Sequence, residues 1–276
     1  MVRVHALAHS FNLYGNDGYP KPLRRLAAKD YVRQYRYFTL SRCYFSAAMA
    51  KRSSAQNSSE LKTIEEVSGF MQGYYLHPQP DQIAEVIDAL GPTGFVKPTN
   101  ESVNIGFFSE VFAANLNGVP EWQIHIAKQD DRTKAILERA VSLSKTGGLL
   151  NNTGHSPQLN DGWWAFFFAS GNPKFVDKII DQLQYCDERT DEMLFFAGAT
   201  AKWLLASSAR TNPLVRSTLE SAKAKASTRQ RELISEVINE EPALIKHEMK
   251  ETVQRQREAG KWKQRGLSTS ARPVSP

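Results

Sequence analysis

Cysteine is scarce: the chain of 276 residues holds only Cys43 and Cys186. They have no CxxC or other metal-ligand spacing, so a disulfide framework and a cysteine-built zinc site are both excluded as organising devices. This usage favours a reducing compartment. Long apolar runs are also missing. The longest candidates, Trp163–Ala169 and Met193–Ala206, fall short of the roughly 18–20 residues that cross a bilayer. The second carries Lys202, so both read as buried helices and no transmembrane segment is expected. Glycine (16) and proline (13) are too few for a collagen-like or low-complexity chain.

The motifs of common enzymes are lacking too. The sequence has no G-x-x-x-x-G-K-[ST] phosphate loop, G-x-G-x-x-G, H-E-x-x-H or G-x-S-x-G elbow. Gly147-Gly148 followed by Gly154 lacks the lysine and preceding strand of a phosphate cradle. His5 and His9 stand one helical turn apart but have no third ligand nearby. Neither a metal nor a cofactor is expected. Paired carboxylates such as Asp130-Asp131, Asp187-Glu188 and Asp191-Glu192 fall at helix starts or turns, where negative charge complements the helix N-terminus.

Apolar residues make up 41% of the chain, enough to fill a core. The formal charge of +6 is unevenly spread. Residues 1–59 hold 10 Lys/Arg against 2 Asp/Glu, residues 60–242 hold 17 against 24, and residues 243–276 hold 8 against 3. An acidic body thus lies between basic ends. In the first window Arg24, Arg25, Arg33 and Arg36 alternate with tyrosines, a mixture suited to phosphate contact and base stacking. The same window is compatible with an organellar targeting segment, or with an upstream extension ahead of a product that begins near Met49. A second basic cluster, Lys261, Lys263 and Arg265, surrounds Trp262 in a tail that glycine and proline should leave disordered from about residue 260. The expected organisation is a basic N-terminal segment (1–59), a helical domain (60–258) and a disordered tail (259–276). The expected location is cytoplasmic, or organellar if residues 1–59 are a targeting segment.

Between Glu60 and Arg257 the apolar rhythm is helical. Ile83, Val86, Ile87 and Leu90 follow the i, i+3, i+4, i+7 rule, as do Leu233, Ile234, Val237 and Ile238 in a compressed form. Asn172-Pro173 and Asn212-Pro213 place a capping side chain before a first-turn proline, and Ser227 with Gln230 has capping-box spacing. Pro80 to Pro120 and Pro173 to Pro213 are each 40 residues. An apolar helix precedes each proline and a second helix follows it. The fold class is therefore all-α, as an irregular α-solenoid of helix–turn–helix units of about 40 residues or as a stacked helical bundle.

The interval from Pro120 to Pro173 is longer and contains a polar stretch read as a loop: Asn151, Asn152, Thr153, His155, Asn160 and Asp161, just before Trp163-Trp164. Loops that interrupt a regular scaffold are often functional. His155, Asn160, Asp161, Trp163 and Trp164 are accordingly the candidate partner-binding residues. His125, between two isoleucines, should be partly buried with a hydrogen-bond partner. Lys202 should either reach the surface or pair with a carboxylate. The leading functional expectation is a non-enzymatic helical-repeat protein that mediates protein–protein interaction. The alternatives are nucleic-acid or anionic-surface binding through the basic ends, and a small-molecule or hydrolase site at the His155 loop.

Overall fold

A computed structural model describes residues 61–146 and 154–262. The basic segment 1–59, with Arg24, Arg25, Arg33 and Arg36, lies outside the described residues. So do Asn151, Asn152, Thr153, Lys263 and Arg265. Among the described residues every regular element is helical. Eleven α-helices run in order: α1 Ile64–Gly73, α2 Ile83–Leu90, α3 Glu101–Ala114, α4 Val119–Ile126, α5 Asp131–Ser144, α6 Pro157–Ser170, α7 Pro173–Asp181, α8 Glu192–Ala209, α9 Pro213–Lys225, α10 Thr228–Asn239 and α11 Pro242–Glu258. Short 3-10 turns join several of them. None of these helices is long and apolar enough to cross a membrane.

The helix starts follow from local chemistry. Thr63 and Glu66 form a reciprocal capping box at α1: the Glu66 amide donates to the threonine hydroxyl, and the Thr63 amide donates to the Glu66 carboxylate. Asn172 and Asn212 accept first-turn amides ahead of Pro173 and Pro213, so each proline sits where its missing N–H has no partner to lose. The Ser227 hydroxyl accepts from the Gln230 amide. Pro80 opens a 3-10 turn leading into α2, and Pro120 is in the first turn of α4. All four spaced prolines therefore mark helix starts, as the sequence pattern implies.

Amphipathic helices cover helices that are apolar on every side. Ile83, Val86, Ile87 and Leu90 of α2 are fully buried, and α10 buries Leu233, Ile234 and Val237. By contrast α3, α6 and α8 bury nearly complete runs, including Phe107, Phe108, Trp163, Trp164, Phe166 and Phe167. Helices without a polar face must be enclosed. Here α6 packs on α3 on one side and on α8 on the other, while α1 and α7 cover it further; α5 backs α3, and α10 and α11 back α8. Each large aromatic enclosed this way contributes about 2–3 kcal/mol relative to leaving it in water.

Two backbone approaches set this geometry. A Cβ on Gly106 of α3 would lie 2.9 Å from the Gly162 carbonyl oxygen and 3.0 Å from the Ala165 Cβ on α6. A Cβ on Gly198 of α8 would lie 2.5 Å from the Cys186 nitrogen and 2.5 Å from the Tyr185 carbonyl carbon. Both positions need a residue with no side chain so that the helices can close.

The C-terminal end differs from the expected disorder. Gly260, with φ of 67°, ends α11, and the chain turns back so that the amides of Lys261 and Trp262 both donate to the Gln256 carbonyl. Trp262 is 3% exposed and packs with Phe195, Phe196 and Ala199 of α8, with Met249 and Val253 of α11 beside it. Its indole N–H donates to the Arg189 carbonyl at 3.1 Å. The helical body thus extends at least to residue 262, because one large aromatic outweighs the glycine-rich local sequence.

Candidate functional site

The residues singled out between 155 and 164 do not converge. Asn160 and Asp161 are in α6 rather than in a loop. Ser156 caps that helix by accepting from the Leu159 amide, and Pro157 occupies its first position. This is the cap-then-proline signal seen at Asn172 and Asn212, and it starts the helix several residues before the tryptophans. Asn160 and Asp161 are fully buried, and Trp163 and Trp164 are 1% exposed. The four side chains are core and present no surface to a partner in the folded chain. Asn160 ties α6 to α8, its amide donating to the Ala197 carbonyl at 2.8 Å and to the Thr200 hydroxyl at 3.0 Å. His155 turns elsewhere. Its Nδ1 is 3.1 Å from the Gln182 side-chain oxygen, and its ring centroid is 4.7 Å from that of Tyr185.

Other candidates also have structural partners. His125 Nδ1 is 2.8 Å from Asp88 Oδ2, a contact that joins α4 to α2. Lys202 is 12% exposed and pairs with Glu236 at 2.6 Å, with Glu240 at 3.7 Å and Glu248 at 3.9 Å around it. Burial alone would lower its pKa, but the hydrogen bond and charge of Glu236, helped by Glu240, outweigh this and move it upward. An amine held this firmly as ammonium is a poor nucleophile or base, and an effective clamp between α8, α10 and α11. Beneath it, burial pushes the Cys186 thiol up to about 12, which leaves it without useful thiolate at neutral pH. The carboxylates of Asp130 and Asp191 accept first-turn amides of α5 and α8. Glu188 accepts from the Thr190 hydroxyl and from backbone amides, which hold its carboxyl down at about 2. Among the described residues no cluster of three or more His, Cys, Asp or Glu side chains is arranged to hold a metal. Lys261 is exposed at the end of the body, while the rest of its basic cluster is outside the described residues.

An open concavity lies elsewhere, where α3 turns into α4. It encloses about 660 Å³, within the size range of ligand sites, and is lined by Pro80, Asp81, the stretch Ala113–Gly118, Glu121 and Trp122. Its construction is legible residue by residue. Asn115 ends α3, with its side-chain amide donating to the Val111 carbonyl at 2.9 Å. The turn Leu116–Gly118 then swings the chain into α4. Trp122, 4% exposed, stacks on Phe112 at 5.3 Å between centroids and forms the floor. A Cβ on Gly118 would lie 2.8 Å from the indole ring, so the turn can lie flat on the tryptophan only with glycine there. Leu116 stands 56% exposed beside the opening. Asp81 and Glu121 stand at it with no cation within 4 Å among the described residues, and the lining contains no lysine or arginine. Sequence reasoning took Pro120 only as a helix start. The signal it passed over was an apolar residue inside an Asn-Leu-Asn-Gly turn, which stands exposed in the structure.

No protein-family model matches the chain, and no curated protein or solved structure shows significant similarity to it.

Proposed function

We propose that this chain is a helical scaffold that binds another protein, and that the contact surface is the groove between α3 and α4. One observation carries this reading: a wide, open concavity with an aromatic floor and an exposed leucine, on a body where His125, Asn160 and Lys202 are engaged in holding helices together. An apolar anchor in a shallow cleft framed by polar groups is how helical scaffolds seize peptide segments. The groove replaces the Trp163/Trp164 surface as the place to look, since those rings are enclosed.

The test places a photo-crosslinking benzophenone side chain at position 116 and, separately, at position 244. Leu244 is equally exposed, at 57%, but lies on α11. A partner that crosslinks from 116 and not from 244, and whose association is lost on Leu116→Asp with the circular dichroism unchanged, supports the proposal. Identical crosslinking from both positions would refute it.

A further inference from the structure

Charge in the described body is concentrated on the side that forms the groove. Residues 61–127 hold eight Asp/Glu against two lysines, Lys62 and Lys97, whereas residues 128–262 hold eighteen Asp/Glu against twenty Lys/Arg. Some of the eight have structural duties. Glu66 caps α1, Asp88 meets His125, and Glu101 lies 3.5 Å from Arg139. Asp81 and Glu121 at the groove lie in the first turns that Pro80 and Pro120 open, and neither has an ion-pair partner within 4 Å among the described residues. Glu110, half-buried one helical turn before Ala113 and Ala114 on α3, again has no cation within 4 Å among the described residues. Burial raises the pKa of its carboxyl, with a lesser opposing contribution from a hydrogen bond with Ser170.

Carboxylates with no counter-ion within 4 Å among the described residues give a concavity a negative field, which low-dielectric walls focus. We infer that the groove binds a lysine- or arginine-bearing segment of a partner protein, with the cationic head groups at Asp81 and Glu121 and an apolar side chain against Leu116. The inference rests on the groove being the docking surface. The competing chemistries fit less well. An acidic or phosphorylated segment would meet like charge at Asp81 and Glu121. A purely apolar segment would strip water from two carboxylates with nothing to replace it, a cost that the contact with Leu116 does not offset. The long aliphatic stems of lysine and arginine satisfy both features at once, lying along leucine while the head groups stay at the wet rim.

The experiment measures fluorescence anisotropy of the full chain with a labelled peptide made of two tandem copies of Leu-Arg-Arg-Leu-Ala-Lys, and with its counterpart in which glutamate replaces every arginine and lysine. The basic peptide should bind and the acidic one should not. The double change Asp81→Asn with Glu121→Gln should weaken binding by about ten-fold, the combined effect of two partly screened ion pairs. Leu116→Ser should weaken it by about three-fold through lost apolar contact. Asp177→Asn on α7 should leave it unaltered. No binding of the basic peptide, or equal binding to the double variant, overturns the inference. If the full chain is by itself a dimer that the double variant dissociates, the occupant is a second copy and the inference of a separate partner fails. The two readings can be separated. If a natural partner still depends on Leu116 but the charge changes have no effect, the assignment of a basic segment fails and the docking surface stands.

Discussion

Replacing Gly198 with alanine sets two effects of opposite sign against each other in the interior of α8. Alanine favours a helix over glycine by about 1 kcal/mol, so an open helical site would gain stability. Gly198 is not open. The added Cβ would meet the Cys186 nitrogen and the Tyr185 carbonyl carbon at 2.5 Å, almost 1 Å inside ordinary contact, and both are backbone atoms that cannot rotate away. The 3-10 turn Gln182–Tyr185 must therefore shift, disturbing the Gln182 contact to His155 as well. Overpacking of this kind costs about 2–3 kcal/mol, which leaves a net loss of about 1–2 kcal/mol. For a body of this size that is a fall in Tm of about 2–8 °C. Gly69 in α1 supplies the matched comparison, since a Cβ there meets nothing within 4 Å. Gly69→Ala should raise Tm by about 1–4 °C. Differential scanning calorimetry of both variants decides the matter. If Gly198→Ala is as stable as the parent, or gains as Gly69→Ala does, the close approach of α8 to the turn is wrong.

Lys202→Met should cost about 1–2 kcal/mol in urea denaturation, because Glu236, Glu240 and Glu248 lose the cation between them. The Lys202 pKa is raised in the folded state. Its contribution is therefore complete below the unfolded lysine pKa, about 10.4, and is lost as pH rises through the folded value, so the gap between parent and variant should close only above about pH 10. Trp262→Ala should cost about 3 kcal/mol by removing the centre of the small cluster on α8 and the bond to the Arg189 carbonyl, and chemical denaturation measures it. Cys186 should resist iodoacetamide in the native protein at pH 8 and react once denaturant is added, as peptide mass spectrometry at that residue would show.

The helical body is readable in the sequence because its signals are local. The four-residue rhythm of α2 and the cap-proline pairs of α7 and α9 each involve neighbours along the chain, and each marks a helix in the structure. The pairing of His125 is legible too, though not the identity of its partner, 37 residues away. The failures are non-local. Ser156-Pro157 carries the same signal as Asn172-Pro173, but the polar residues after it suggest a loop, whereas the Asn160 amide donates to a carbonyl and a hydroxyl on α8. Trp262 looks like part of a tail because the cluster that receives it is formed by residues some 65 positions earlier. The groove is hidden for a similar reason: Asp81 and Glu121 become neighbours of one concavity only after α2 and α4 pack.

The enclosure of α6 also bears on the order in which the chain can mature during synthesis. The aromatic surface of α3, with Phe107 and Phe108, is covered chiefly by α6, which is complete only at Ser170, some 55 residues after α3 ends. At ribosomal speeds of about 5–20 residues per second, that surface waits several seconds for its cover. α6 itself then waits for α8. The nascent chain therefore carries a row of exposed phenylalanines and tryptophans through the middle of its synthesis, and its yield in a cell should depend more on chaperone supply and elongation rate than the stability of the finished body would suggest.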